Sequence, residues 1–175
     1  GIPLILYNPP HAKQVLTPEQ LGTLLTAVPA IAGIKLADGD ADWYAQARAH
    51  LRGIALFVPG HRLATGMREG IAAGSFSNVA CLSPAGAQRW TDLMLHDLDA
   101  ALEIEGRICR FMDRHIVPFR QSQGYSNAAL DKLLCAIGNW GPVGTRLRFP
   151  YRWIPQEEAV RIRAIARREL GDILD

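Results

Sequence analysis

The chain has 175 residues, of which 49% are hydrophobic and 21% charged, as in a soluble globular protein of about one domain. The formal net charge of +2 is too small to predict a nucleic-acid partner. We also expect no membrane association or export, because no apolar run reaches the ~18 residues of a membrane span and no secretory leader pattern is present.

The cysteines point to a reducing compartment. Cys81, Cys109 and Cys135 are far apart and odd in number, and no CxxC or Cys/His cluster occurs. This spacing argues against a disulfide framework and a structural zinc site. We therefore expect a cytoplasmic protein with no metal.

The first part of the chain predicts four strands that alternate with four helices. Thr17, Pro18 and Gln20 form a capping-box pattern, and Asp40 and Ser83 are further N-cap candidates. The predicted strands are IPLILYN, AIAGIKLA, GIALFVPG and SFSNVACLS, and the helices are TPEQLGTLLTAV, DGDADWYAQARAHL, HRLATGMREGIAAG and SPAGAQRWTDLMLHDL. This alternation is typical of right-handed βαβ units with a parallel sheet.

After residue 95 the strand patterns stop. Helices are predicted over DAALEIEGRICRFMDRHI, SNAALDKLLCAIG with Ser126 as its cap, and QEEAVRIRAIARREL, and the segment from 139 to 155 is a loop. We therefore divide the chain into a βα part, 1–95, and a helical extension, 96–175. Four parallel strands can form a small open sheet or half of a (β/α)8 barrel, which typically has about 250 residues, and composition and periodicity do not separate the two.

Lys35 is the most informative single position, because it stands within the apolar strand AGIKLA. It can extend past the strand end to solvent, or it can be an amine whose burial disfavours the cation. A neutral amine can attack a ketone and form a Schiff base. Tyr7 ends the preceding strand, either as a core aromatic residue or as a proton carrier. Ligands of parallel α/β proteins lie at such strand ends, and a phenol beside an imine can move protons.

The stretches LILYNPP, GIKLADGD, FVPG and GSFSNVACLSP resemble the second half of the dihydrodipicolinate synthase/N-acetylneuraminate lyase superfamily. These proteins are Schiff-base, pyruvate-dependent class I aldolases on a (β/α)8 barrel. The resemblance runs from residue 2 to about residue 90, and the helical tail fits the family's C-terminal extension. It implies the fold of strands 5–8 of that barrel followed by helices.

The resemblance also implies roles for particular residues. Lys35 would form the imine and Tyr7 would relay protons. Gly60 would let substrate approach, Phe76 would pack against bound pyruvate, and Ser77 follows it. The family's carboxylate-binding Gly-rich loop and its interface tyrosine would belong to the first four βα units, which this sequence does not include.

Several positions depart from the family pattern. Ala12 stands where enzymes that make dihydrodipicolinate carry an arginine, and its neighbours His11 and Lys13 are surface residues or substitutes for it. Leu36 follows the lysine where an acid is frequent. Pro59 and His61 flank Gly60 where a serine and an acidic residue are usual.

The sequence therefore predicts a Schiff-base aldolase or dehydratase that acts on pyruvate or a related 2-keto acid, without a cofactor, as a homodimer or homotetramer. The departures argue against the reaction that makes dihydrodipicolinate. The first alternative is a half-barrel without catalytic activity that acts at most as an association module through exposed strand edges. The second is an open-sheet ligand-binding or phosphate-binding domain, which the absence of GxGxxG and P-loop spacing disfavours.

Overall fold

The computed structural model describes residues 1–10 and 12–174, and their contacts divide into two compact units, Gly1–Phe76 and Ser77–Asp175. This division differs from the domain boundary that we predicted after residue 95. That boundary was placed where the repeating βα pattern of the sequence ends, and it stays a prediction. Within the described part of the chain, no helix is both long and apolar enough to cross a membrane.

The first unit is a parallel sheet with helices between its strands. The four strands lie in the order β1-β2-β3-β4, and every neighbouring pair is parallel. The elements are β1 (Leu4–Tyr7), α1 (Pro18–Ala27), β2 (Ile31–Lys35), α2 (Ala41–His50), β3 (Ala55–Pro59), a 3-10 turn (Gly60–Arg62), α3 (Leu63–Arg68) and β4 (Ala72–Phe76). A consecutive strand order is that of a barrel, whereas a doubly wound sheet reverses its order at a switch point.

The two faces of this sheet differ in burial. Ile34, Leu56 and Val58 are almost completely buried, and a Cβ at Gly66 of α3 would lie 3.1 Å from a Val58 methyl carbon. The opposite face carries the alternate residues, including Lys35, which is half-buried. The helices therefore cover one face, and the lysine lies on the other.

Local signals in the sequence placed the first helices correctly. Thr17 accepts from the Gln20 amide while the Gln20 side chain accepts from the Thr17 amide, which is the predicted capping box. Asp40 accepts from the Trp43 amide and caps α2. These side chains satisfy backbone donors at the helix start that have no partner inside the helix.

The predicted third helix and fourth strand were wrong in their positions. The helix ends at Arg68 rather than near Gly74, and the strand is Ala72–Phe76 rather than the segment from 75 to 83. Gly70, at φ +70°, ends the helical turn early, because glycine adopts this backbone conformation at little cost. Ser77 then caps a short helix that occupies the rest of the expected strand.

In the part of the chain that the structure describes, the second unit consists of helices and the loops that join them, without a strand. Its helices are α4 (Asn78–Leu82), α5 (Pro84–Met94), α6 (Leu98–His115), α7 (Val117–Gln121), α8 (Asn127–Gly138), α9 (Gln156–Glu169) and α10 (Gly171–Leu174). Ser83 and Ser126 cap α5 and α8 as predicted. Phe111 and Ile108 are fully buried in the core, and the Trp90 indole donates to the Ala101 carbonyl at 2.9 Å. The loop predicted from 139 to 155 joins α8 to α9.

Candidate active site

Lys35 and Tyr7 meet at the carboxyl edge of the sheet. Each is the last residue of its strand, and the parallel register of β1 and β2 pairs them directly. The Lys35 Nζ lies 4.1 Å from the centroid of the Tyr7 ring. The structure therefore brings together the amine and the phenol ring that the sequence singled out.

Phe76 approaches the same amine from the other edge of the sheet. It ends β4, and its ring centroid is 5.2 Å from Lys35 Nζ. The residues Tyr7 and Phe76 are each about half exposed, at 50% and 52%. A cation between aromatic faces at an exposed site is stabilised by about 0.5–1 kcal/mol per ring. The two rings therefore hold the lysine head group over the sheet.

Phe57 completes this aromatic surface and was not predicted. It is the register partner of Lys35 on β3, and its ring centroid lies 5.3 Å from that of Phe76. Its ring lies over glycines of the two adjacent strands: a Cβ at Gly33 would be 3.1 Å from it, and one at Gly74 would be 3.5 Å away. The sequence gives no signal for this placement, because an apolar residue in an apolar strand can occupy either face of the sheet.

A charged network follows the ends of β2 and β3. The Arg62 Nε lies 2.9 Å from an Asp38 carboxylate oxygen, and the Tyr44 hydroxyl donates to the other oxygen at 2.6 Å. Gly60, which is buried, begins the 3-10 turn that carries Arg62. The sequence predicted Gly60 as a site residue but not this network. The directions of the Asp38 and Arg62 side chains depend on the turns between strand and helix, and the sequence pattern does not specify the path of these turns.

The remaining candidate residues are Ser77, Ala12, Lys13 and His11. Ser77 accepts from the Ala80 amide at 3.1 Å, so its oxygen caps α4. Ala12 is half-buried and Lys13 is exposed in the turn after β1. His11, the other proposed substitute for an arginine, lies outside the described residues.

Cys81 is a poor nucleophile. Burial, together with the nearby Cys135 and Asp131, raises the pKa of the Cys81 thiol to about 12. The thiol, which is much less nucleophilic than the thiolate, is thus the form present near neutral pH. Among the described residues, no three His, Cys, Asp or Glu side chains lie close enough together to hold a metal ion.

Comparison with known proteins places these residues in a family context. The sequence profile of the dihydrodipicolinate synthetase family matches residues 1–157, which includes Tyr7, Lys35 and Phe76. No curated protein matches the chain significantly.

Solved structures share the fold at low sequence identity. YagE, a prophage protein of the dihydrodipicolinic acid synthase family from E. coli solved in complex with pyruvate, matches with a TM-score of 0.71 and 18% identity over 95% of the chain. N-acetylneuraminate lyase from Fusobacterium nucleatum matches with a TM-score of 0.68 and 18% identity over 96%. Dihydrodipicolinate synthase from Agrobacterium tumefaciens matches with a TM-score of 0.68 and 20% identity over 97%.

The chain spans 55% of the length of each of these three structures. Together with the consecutive order of four parallel strands, this likeness shows that the fold is the second half of a (β/α)8 barrel followed by a helical extension. The expected fold class is therefore confirmed, and the open-sheet alternative is wrong.

Proposed function

Because this chain belongs to the dihydrodipicolinate synthetase family, we propose that it carries the Schiff-base lysine of an aldolase or dehydratase that acts on pyruvate or a related 2-keto acid. The family consists of class I aldolases and lyases. The single observation that supports the assignment most strongly is the position of Lys35, whose amine lies 4.1 Å from the Tyr7 ring centroid at the carboxyl edge of the sheet. Ligands of barrel enzymes bind at this edge.

The proposed reaction begins at the amine. The neutral Lys35 nitrogen attacks the C2 carbonyl carbon of the keto acid, and the carbinolamine then loses water to give a protonated imine. The imine withdraws electrons from C3, which loses a proton and becomes an enamine. The enamine carbon adds to an aldehyde, or the reverse cleavage occurs, and water finally releases the product and the free lysine.

The aromatic residues beside Lys35 have distinct roles in this proposal. The Tyr7 hydroxyl carries the protons that leave and return at C3 and at the carbinolamine oxygen. The rings of Tyr7 and Phe76 stabilise the positive charge that the protonated imine keeps. Phe76 also packs against the substrate, Gly60 leaves room for it, and the Ser77 hydroxyl, whose oxygen accepts from the Ala80 amide, donates a hydrogen bond to it.

The proposed substrate is a small 2-keto acid, with a second substrate other than the one used to make dihydrodipicolinate. The complex of YagE with pyruvate supports a small 2-keto acid as the partner of Lys35. Ala12 and His61 stand where the family that makes dihydrodipicolinate carries an arginine and an acid, so we assign a different second substrate. We further propose that the active polypeptide is cytoplasmic and is a homodimer or homotetramer.

The proposal is tested by exchange of the methyl protons of pyruvate in deuterated water. Enamine formation replaces these protons with deuterium, which proton NMR records as a loss of the methyl signal. The experiment uses the polypeptide that the complete reading frame encodes, and we expect it to catalyse the exchange. Lys35→Ala should abolish this exchange, whereas Lys132→Ala, in α8, should leave its rate unchanged. Exchange that survives Lys35→Ala would contradict the assignment.

A second candidate function is favoured by one observation. Among the described strands, β1 pairs only with β2 and β4 only with β3, and both outer strands carry exposed apolar residues, including Ile5 and Phe76. Such strand edges associate with other strands. The alternative is thus an association module, for which no exchange of pyruvate protons is expected.

A further inference from the structure

The helical unit contains a cavity that the proposed chemistry does not use. Its volume is about 390 Å³, within the range of small-molecule sites. It lies where the end of α6, the helix α7, the following turn and the start of α9 meet. The polar side chains that line it are Arg114, His115, Gln123, Tyr125, Glu158 and Arg161.

The charges around this cavity leave one arginine in excess. Arg161 forms an ion pair with Glu158, its Nε and Nη2 lying 2.9 and 2.6 Å from the same carboxylate oxygen. Arg114, in the last turn of α6, makes no hydrogen bond or ion pair with any residue that the structure describes. The guanidinium of Arg114 is thus available to a ligand, whereas the one carboxylate of the lining is already neutralised.

One wall of the cavity is aromatic and is held in place. The rings of Phe119 and Tyr125 meet edge to face with centroids 6.1 Å apart. The Arg152 guanidinium lies 4.4 Å from the Tyr125 ring centroid and also donates to the Gln123 carbonyl oxygen. These contacts fix two aromatic rings in the cavity that the Arg114 guanidinium also lines, and an amphipathic anion requires such a combination of an apolar surface and a cation.

We propose that this cavity binds a small organic anion through its carboxylate or phosphate group. Arg114 holds the anionic group, because a guanidinium donates two parallel hydrogen bonds to either oxyanion. The apolar part of the ligand lies against Phe119 and Tyr125. Glu158 limits the affinity, since its carboxylate has the same sign as the ligand. This site is independent of the chemistry at Lys35.

The test is isothermal titration of the chain with phenyl phosphate and with benzoate, whose relative affinities distinguish phosphate from carboxylate. Benzyl alcohol serves as the uncharged control and should bind more weakly than the preferred anion. We expect Arg114→Gln to weaken that anion about tenfold, or about 1.4 kcal/mol. Arg110→Gln, at an exposed position of the same helix, should leave the affinity unchanged.

Glu158→Gln provides the decisive second variant. It removes a like charge and frees Arg161, so we expect it to tighten anion binding severalfold, an effect that damage to the fold cannot produce. The proposal is overturned if neither anion gives saturable heat, if benzyl alcohol binds as well as the anions, or if Glu158→Gln fails to tighten binding. It is equally overturned if a folded Arg114→Gln binds the anions like the wild-type chain.

Discussion

At position 35 a lysine extends from a strand end into a space bounded by the rings of Tyr7 and Phe76. The same rings interact favourably with an ammonium and with the protonated imine that would replace it, so they hold the side chain in one place through the proposed reaction. The aromatic rings thus position the Lys35 nitrogen, and the phenol oxygen is the atom of Tyr7 that would transfer protons in the proposed reaction.

Replacing Tyr7 with phenylalanine separates these two contributions. Tyr7→Phe keeps the ring over the amine and removes the hydroxyl. We expect imine formation with pyruvate to persist and deuterium exchange at the methyl group to slow by about 10²–10⁴-fold, the usual contribution of a general acid or base. The rate is measured by NMR.

Tyr151→Phe is the matched control, because Tyr151 is an exposed tyrosine of the helical unit. It should exchange like the wild type. If Tyr7→Phe exchanged equally fast, the hydroxyl would have no part in proton transfer and the proposed relay would be wrong.

The residues of the candidate site differ in how far the sequence predicted them. Lys35 was found because it is a lysine within an apolar strand, and Tyr7 because it ends the preceding strand; the ends of parallel strands meet at one edge of the sheet. Phe57 was missed because an apolar residue in an apolar strand carries no sign of which face it occupies. The ion pair of Arg62 with Asp38 was missed because it depends on the path of two turns.

At the scale of elements, helix starts were predictable and one helix end was not. Thr17, Asp40, Ser83 and Ser126 all cap helices where the sequence placed them, because an N-cap needs only a side-chain oxygen and the next three residues. The segment after α3 has small apolar residues that suit a helix or a strand. Pairing of β4 with β3 decides it, and that partner is distant in sequence.

Close packing of α5 against α10 gives a stability prediction. A Cβ at Gly86 would overlap the carbonyl oxygen of Ile173, which is backbone and cannot rotate away. We expect Gly86→Ala to lower the free energy of unfolding by about 1–3 kcal/mol, as overpacking of a core does. Urea denaturation measures the change.

Gly106→Ala in α6 is the matched control, because its Cβ would meet only the flexible end of Arg110 at 3.3 Å. This change should raise the free energy of unfolding by about 0.5–1 kcal/mol, the helix preference of alanine over glycine. Equal stability of Gly86→Ala and Gly106→Ala would mean that α10 does not pack on α5 as described.

For the whole molecule, the sequence predicted alternating strands and helices but left the closure of the sheet open. Hydrophobic periodicity reports which residues are buried, and it carries no information on strand order. The family resemblance supplied that order, and the pairing of each strand with the next one along the chain agrees with it.

The outer strands predict association of the chain when it is made as a separate 175-residue polypeptide. Ile5 and Leu4 of β1 are 53% and 48% exposed beside a backbone edge that pairs with no strand among the described residues, and no charge interrupts this strand. We expect light scattering to give a mass above the monomer that rises with concentration.

Ile5→Lys should lower that mass, because a charge at the edge opposes strand pairing. Val160→Lys replaces an exposed apolar residue on α9 and should change nothing. A wild-type chain that stays monomeric at every concentration would show that these edges do not associate.

The central claim is that the amine of residue 35 forms an imine with a keto acid. Borohydride reduction in the presence of pyruvate traps such an imine as a stable amine, which peptide mass spectrometry assigns to one of the three lysines of the chain, Lys13, Lys35 or Lys132. We predict modification at Lys35 alone, and none in Lys35→Ala. The account would be contradicted by an adduct on Lys13 or Lys132 with Lys35 unmodified. It would also be contradicted if the polypeptide that the complete reading frame encodes formed no adduct.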